Sequence, residues 1–239
     1  MGWRGYGQVL QRYSMRLIKN MSYIIYHPKR NSTKIESHII YHDVFGRNED
    51  PYIWNDKFLH SFCHMTQITP QIGDIIFWCS GNSYPDFTEL VCDCVFLVKE
   101  KVYWKSKNEI QLTDIIVDNE QAFEKHYKWV NPPNNEHYFK RRKKRFTLKA
   151  DMDKSFQPQN INRRLIDIIP FLNTLNIPTE SLVNSIAKTR NGKPSRNSRP
   201  YKLSAETARN LYDFLDKSDI KIKGYMIKDK HPIKITTSP

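Results

Sequence analysis

The stretch from Ile72 to Trp104 constrains the fold most, because it has the pattern of two β-strands joined by a long loop. Two runs rich in β-branched and aromatic residues, Ile75–Cys79 and Leu90–Val98, flank a segment that contains Gly, Asn, Ser and Pro. Runs of this composition favour strands, and the segment between them favours a turn. The sequence therefore predicts a pair of strands around which the rest of the fold is arranged.

Further elements are predicted on both sides of this strand pair. The run at 21–27 predicts a first strand, and apolar residues at three- and four-residue spacing predict a short helix at 55–65. Another helix is predicted at 160–169, and two more begin at Pro178 and after Ser204. The expected fold class is α+β.

Composition indicates a folded chain with a polar surface. The 239 residues are 39% hydrophobic with a mean hydropathy of -0.67, and no run approaches the roughly 18 to 20 apolar residues that cross a bilayer. We therefore expect no membrane partner and a cytoplasmic location. Residues 1–20 are interpreted as an N-terminal extension, 21–130 as a first domain and 136–239 as a basic, mostly helical region, separated by an Asn- and Pro-rich break.

The four cysteines do not indicate a disulfide framework. Three of them lie in apolar segments, where a free thiol behaves as a small hydrophobe. Cys92 and Cys94, two residues apart on one predicted strand, are expected to point to the same face.

Positive charge is concentrated in the second half of the chain. Residues 1–110 carry 13 Lys/Arg and 11 Asp/Glu, whereas residues 111–239 carry 25 and 14, so most of the net charge of +13 belongs to the second half. Such an imbalance indicates a polyanionic partner, most often a nucleic acid. The alternative is a solubilising surface.

Two basic segments are the predicted phosphate-binding sites. Each cation placed at a phosphate releases counterions, which gives salt-dependent affinity without sequence selectivity. For the first segment the competing interpretation is a nuclear localisation signal, and for the second it is a solvated connection between helices. The residues are Lys140, Arg141, Arg142, Lys143, Lys144 and Arg145 in the first segment, and Arg190, Lys193, Arg196 and Arg199 in the second.

The order of these elements resembles the PUA-like superfamily, in particular its EVE, ASCH and YTH branch. The resemblance covers about residues 21–129. It is carried by the opening strand 21–27, the Gly-Asp pair within 72–77, the Ser-Gly turn at 79–81 and the strand at 92–99. It implies a small curved β-barrel that holds an unstacked, often modified base between aromatic side chains, followed here by the basic helical region.

Four aromatic residues are the base-binding candidates that this resemblance implies, because they lie at strand ends or in the loop. They are Trp78, Tyr84, Tyr103 and Trp104. The competing interpretation places the two tryptophans in the hydrophobic core. The expected function is nucleic-acid binding, with DNA favoured over RNA, in the setting of a restriction or phage-defence system.

Catalytic and cofactor motifs give no positive signal. The sequence has no Gly-rich phosphate loop, Gly-x-Ser-x-Gly elbow or Cys-x-x-Cys pair, so no cofactor is predicted. Two His-x-x-x-His pairs, at 38/42 and 60/64, have the spacing that binds zinc on a helix but lack the glutamate of metallopeptidases, and no metal is predicted.

Two rival functions stay open. The first is a metal-independent nuclease or DNA glycosylase on the same scaffold, and the second is a protein-interaction module with a basic tail. The candidate acid/base residues of the enzyme are His27, His38, His42, His60, His64, Tyr84 and Asp86.

Overall fold

A computed structural model describes residues 21–27, 31–42, 61–63, 70–81, 88–103, 146–186, 189–190, 193–194 and 200–226. Its helices are α1 (Ile169–Thr174), α2 (Thr179–Ile186) and α3 (Ala205–Asp216), with a 3-10 turn at Gly224–Met226. Its strands are β1 (Ser22–His27), β2 (Asn31–Ile35), β3 (His38–His42), β4 (Ser61–Cys63), β5 (Ile75–Gly81), β6 (Leu90–Tyr103), β7 (Phe146–Ala150), β8 (Gln157–Gln159), β9 (Thr189–Arg190), β10 (Lys193–Pro194), β11 (Tyr201–Leu203) and β12 (Ile220–Ile222). The α+β prediction is confirmed.

Six strands form the main sheet in the order β11-β1-β5-β6-β7-β4. β1 and β5 are parallel, and the other neighbouring pairs are antiparallel. The predicted pair β5 and β6 lies at its centre. A barrel requires its first and last strands to pair, but within the described residues β11 and β4 are the two edges of an open sheet. The observed sheet therefore differs from the closed barrel that was expected.

The sheet combines strands from both sides of the expected break at 131–135. β7 pairs with β6, and β11 pairs with β1, so residues 146–150 and 201–203 belong to the same sheet as strands of the first predicted domain. The break itself and residues 1–20 lie outside the described residues.

Each face of the sheet buries a separate hydrophobic core. The helix-side core contains Phe77 of β5 with Leu211 of α3, and the hairpin-side core contains Ile76 and Trp78 of β5 with Ile40 of β3. Successive side chains of a strand point to opposite faces, so a strand covered on both sides is apolar throughout. This explains the unbroken apolar run that made β5 recognisable in the sequence.

A β-bulge in β6 changes which face its cysteines occupy. Trp78 pairs with Cys94 and Cys79 pairs with Cys92, which leaves Asp93 as an extra residue in β6. Cys92 therefore lies in the helix-side core and Cys94 in the hairpin-side core. The prediction that the two cysteines share a face is wrong, because the extra residue shifts the alternation by one.

The three cysteines of β5 and β6 are buried free thiols, as expected from their apolar surroundings. Burial raises the pKa of Cys79 and Cys94, and the neighbouring Cys92 adds to the shift. A thiol held in its protonated form is a poor nucleophile, so Cys79 and Cys94 have a packing role.

Two predicted helices are replaced by extended structure in the described residues. Within 55–65, Ser61–Cys63 is strand β4, paired with β7. Residues 160–168 form a turn and an extended segment in which Cys92 donates its N–H to the carbonyl of Ile166, and Ile168 donates to Leu90. Backbone groups engaged by β6 cannot form helical hydrogen bonds, so the helix begins only at α1.

Candidate nucleic-acid interface

Of the four predicted base-binding aromatic residues, the structure describes two, one in the hydrophobic core and one at the end of a strand. Trp78 is 4% exposed and packs in the hairpin-side core, which favours its alternative role as a core residue. Tyr103 is the last residue of β6, and its backbone pairs with Phe146 at the start of β7. Tyr84 and Trp104 lie outside the described residues.

The predicted phosphate-binding residues are mostly outside the described part of the chain. This applies to Lys140–Arg145, to Arg196 and to Arg199. Arg190 and Lys193 are paired residues of the small β9–β10 hairpin, so two cations of the second segment lie opposite each other in register. The structure describes the backbone of this pair and not its side chains.

The pairing of β6 with β7 brings one predicted base-binding residue, Tyr103, beside the residue that follows the first basic segment, Phe146. Tyr103 is paired with Phe146, so Trp104 follows Tyr103 out of the ladder where Arg145 precedes Phe146 into it. The end of β6 therefore lies beside the start of β7, and the six-residue basic segment 140–145 directly precedes that start in the sequence. The sequence alone does not indicate that the end of β6 and the start of β7 are neighbours, because 42 residues, 104–145, lie between the two strands.

The net positive charge of the chain is carried by residues other than the described side chains. Those side chains comprise 12 Lys/Arg and 13 Asp/Glu, compared with 38 and 25 in the whole sequence. The excess of cations therefore belongs to the remaining segments, chiefly the two basic ones. The described surface supplies a nearly neutral scaffold.

The histidines described do not form a metal or catalytic cluster. His38 and His42 are the two ends of β3, and four residues of strand span about 13 Å, so they cannot share one metal ion as they would on a helix. His42 is 6% exposed, and its Nε2 lies 2.9 Å from the Thr33 hydroxyl.

The structure describes no side chain of the other acid/base candidates. For His27 only the backbone is described, and His60, His64, Tyr84 and Asp86 lie outside the described residues. Within the described part of the chain, no group of three or more His, Cys, Asp or Glu side chains has a geometry that would hold a metal ion.

A pocket of about 340 Å³ lies between the sheet and the first turns of α3. Its wall combines sheet residues with one face of the helix, and sequence reasoning identified none of it as a site. The lining residues are Ser22, Gly73, Ile75, Leu97, Lys154, Ala205, Ala208, Arg209 and Tyr212.

The spacing of the α3 residues explains the shape of this pocket. Ala205, Ala208, Arg209 and Tyr212 follow the i, i+3, i+4, i+7 pattern of one helix face. The two alanines leave space above the sheet, and the longer side chains enclose it. This local pattern is a signal that the sequence contained, but it could not indicate the distant residues that complete the pocket.

Two cations line the pocket and no carboxylate does. Arg209 is exposed, and no described carboxylate lies within ion-pair distance of it, although Glu206 and Asp213 flank it on α3. Lys154 has a 63% exposed side chain, and its Nζ lies 4.0 Å from Asp151 Oδ2. An ion pair of this length and exposure is weak, so both cations are available to an anionic ligand.

Tyr212 is fixed at the pocket by two contacts. Its hydroxyl donates to the carbonyl of Lys154 at 3.0 Å, and its ring packs edge-on against Phe156 with centroids 5.8 Å apart. Burial, with additional effects from Asp216, Asp151 and Asp213, raises the pKa of Tyr212 to about 12. The phenol is therefore neutral at physiological pH and acts as a hydrogen-bond donor.

The Gly-Asp pair that carried the resemblance has a structural role beside this pocket. Gly73 has φ of 90° and donates its N–H to Val98 at 2.8 Å, a backbone conformation that glycine adopts without strain. Asp74 is 1% exposed, and its Oδ2 accepts from the N–H of Gln71 at 2.7 Å. The pair leads the chain into β5, and Gly73 lines the pocket.

Burial raises the pKa of Asp74, although the backbone N–H groups of Gln71 and Met21 and the charge of Lys101 oppose the shift. Among the described residues, its Oδ1 has no hydrogen-bond partner. The free-energy cost of burying the Asp74 carboxylate is therefore only partly offset by its hydrogen bonds and by Lys101. Its ionisation affects the stability of the fold.

A buried polar network holds the β2–β3 hairpin on the sheet. The Gln157 amide donates to the carbonyls of Tyr41 and Asp93, both at 2.8 Å, and accepts from the N–H of Tyr41 at 3.0 Å. Gln159 donates to Gln157 at 2.9 Å and to the carbonyl of Ile39 at 2.7 Å. Among the described residues Gln159 Oε1 has no hydrogen-bond partner, so the network is satisfied at Gln157 and only in part at Gln159. Buried hydrogen bonds of this kind favour one arrangement of packed elements, and these position the hairpin.

No protein-family model matches the chain, and no curated protein or solved structure matches it. Within the described residues, no helix has the length and apolar character needed to cross a membrane. The function therefore has to be inferred from the residues of this chain.

Proposed function

We propose that this protein is a cytoplasmic nucleic-acid-binding protein related to the PUA-like superfamily, with DNA as its favoured partner. The basic segments hold the phosphate backbone, and aromatic residues next to them receive a base, which can be a modified one. Recognition of modified DNA in a restriction or defence system is the setting that this combination suits.

The observation that carries the proposal is the pairing of Tyr103 with Phe146. It places Phe146, which directly follows the six-residue basic segment in the sequence, beside Tyr103, which Trp104 directly follows. Cations bind phosphates without reading sequence, and aromatic rings stack on bases with roughly 1 to 3 kcal/mol per base. Backbone affinity and base contact can therefore be provided at one end of the sheet.

The distribution of charge supports the same division of roles. Since the described side chains are nearly neutral overall, the segments around 140–145 and 188–199 are the parts of the chain that would attract a polyanion. The described sheet serves as a support on which these segments begin and end. Trp78, buried in the hairpin-side core, is no longer among the residues proposed to contact a base.

Equilibrium binding to labelled single- and double-stranded DNA and RNA at two salt concentrations tests this proposal. We expect DNA to bind more tightly than RNA, and affinity to fall steeply as salt rises, by about 0.9 in log K per unit of log salt for each phosphate contact on duplex DNA. Affinity independent of salt would exclude phosphate binding by the basic segments. Incubation with plasmids carrying modified or unmodified bases, with and without divalent metal, separates a binding protein from a nuclease or glycosylase.

A further inference from the structure

We propose that the pocket beneath α3 binds the phosphate group of a nucleotide, with the sugar or base of that nucleotide against its apolar wall. This site is separate from the aromatic and basic residues at the end of the β6–β7 ladder. The choice of a nucleotide as ligand rests on the proposed nucleic-acid function. The cations, the wall and the position of the pocket each support it.

The charges in the pocket fit a phosphate. Arg209 and Lys154 are its charged lining residues, and hydrogen bonds between such cations and phosphate oxygens are among the strong ones in proteins. Asp151 Oδ2 lies 4.0 Å from Lys154 Nζ, at the limit of an ion pair, while its Oδ1 accepts from the N–H groups of Asp153 and Lys154 at 3.1 and 3.2 Å. The two cations therefore face the pocket without a strong internal partner.

The size and wall of the pocket fit a ligand larger than phosphate alone. Ligand pockets for small molecules are typically about 300 to 1,000 Å³, and this one is about 340 Å³. Ile75, Leu97, Ala205 and Ala208 supply apolar surface, which a bare phosphate ion would leave uncovered. A nucleoside monophosphate presents both a charged group and a flat, largely apolar one.

The β6–β7 ladder connects a wall residue of the pocket with the start of β7, which the basic segment precedes in the sequence. Gly73 in its wall donates to Val98, which pairs with Ala150 at the end of β7, while the basic segment enters β7 at Phe146. Four residues of strand span about 13 Å, and a nucleic-acid strand rises about 3.4 Å per nucleotide. The length of β7 from Phe146 to Ala150 therefore corresponds to about four nucleotides.

Calorimetric titration of the full chain with deoxyadenosine monophosphate, deoxyadenosine and inorganic phosphate tests the assignment. Arg209→Gln should weaken binding of the monophosphate about tenfold, the loss expected for one charged hydrogen bond. Arg164→Gln, which removes an exposed arginine from the turn at 160–164, should leave it unchanged. Ala205→Phe, at an exposed position, should abolish binding by filling the pocket. Equal binding of monophosphate and inorganic phosphate, or equal effects of the two arginine variants, would overturn the proposal.

Oligonucleotides with and without a 5′-phosphate distinguish the source of the nucleotide. If the pocket holds a strand end, the phosphorylated oligonucleotide binds about tenfold more tightly and Arg209→Gln removes the difference. If it holds a free nucleotide, the monophosphate binds in an Arg209-dependent way and the two oligonucleotides bind alike. If DNA binds in a salt-dependent way but neither the 5′-phosphate nor Arg209→Gln changes binding, the nucleotide site in the pocket is refuted and the proposed function is not. If the monophosphate binds in an Arg209-dependent way but DNA does not bind, the proposed function is refuted and the nucleotide site is not.

Discussion

At the scale of single residues, the buried amide of Gln157 has the clearest energetic role. Its side chain is fully buried and exchanges hydrogen bonds with Tyr41, Asp93 and Gln159. A buried polar group that loses its partner costs about 1 to 3 kcal/mol. The hairpin is therefore held by specific polar contacts in addition to its apolar core.

We predict that Gln157→Leu lowers the free energy of unfolding by about 3 kcal/mol, because the substitution leaves several buried backbone groups without partners. Urea denaturation measures the loss, and amide hydrogen exchange at Tyr41 should accelerate in the variant. Asn210→Leu changes an exposed amide on α3 and serves as the control. Equal stability of the two variants would show that the network contributes nothing.

Asp74 gives the fold a pH dependence whose direction follows from its raised pKa. The folded state binds this proton more tightly than the unfolded state, so stability falls as the pH rises from about 3.8, the ordinary value, through the folded-state pKa. Asp74→Asn cannot ionise but retains an oxygen that accepts from Gln71. We predict that the difference in unfolding free energy, wild type minus variant, decreases over this interval and is constant above it. Parallel curves over the whole pH range would contradict the prediction.

Some residue-level features could be predicted from sequence and others could not. Pro178 and Ser204 were recognised as helix starts because capping depends on residues within one turn. The sequence did not indicate which face of the sheet Cys92 and Cys94 each occupy, because the bulge at Asp93 is defined by the register of β6 with β5. A local pattern cannot indicate which residue of a strand lacks a partner on the neighbouring one.

At the scale of elements, α3 links the helix-side core to the pocket. Its residues Ala208, Leu211 and Leu215 are buried against the sheet. Its first turn begins at Ser204, whose hydroxyl accepts from the N–H of Thr207 at 3.1 Å. The cap therefore stabilises the turn that carries the pocket residues.

We predict that Ser204→Ala lowers the free energy of unfolding by about 1 kcal/mol, the usual contribution of an N-cap. Ser204→Asp restores an acceptor at the same position and should retain most of the stability. Urea unfolding midpoints measured by circular dichroism make the comparison. If the unfolding midpoint of Ser204→Ala equals that of the wild type, this cap contributes nothing to the free energy of unfolding.

Element prediction succeeded where the pattern was long and failed where the partner was distant. β5 and β6 were recognised from unbroken β-branched and aromatic runs. Residues 160–169 have apolar spacing typical of a helix, but the start of β6 engages the backbone of 166 and 168. Tertiary hydrogen bonds therefore override local preference there, as they do at β4.

Across the molecule, the described residues form an open mixed sheet between helices on one face and a hairpin on the other. The apolar runs of the sequence predict the central strands and the α+β class, whereas the barrel is implied by the resemblance and no residue of the sequence specifies closure. The pocket was equally unpredictable, because Ser22, Leu97 and Arg209 are far apart in the sequence. The fold alone makes them neighbours.

The most direct test of the central claim is the salt dependence of DNA binding by a variant of the first basic segment. With Arg141, Arg142, Lys143 and Lys144 replaced by alanine, we predict uniformly weaker binding to all sequences and a slope of log K against log salt reduced by about 3.6 if each of the four contacts one phosphate. A control that replaces four exposed lysines of the described surface, Lys34, Lys99, Lys202 and Lys217, makes the same change in net charge and should keep nearly the full slope. Unchanged binding in the first variant, or equal reductions in both, would contradict the assignment of phosphate binding to residues 140–145.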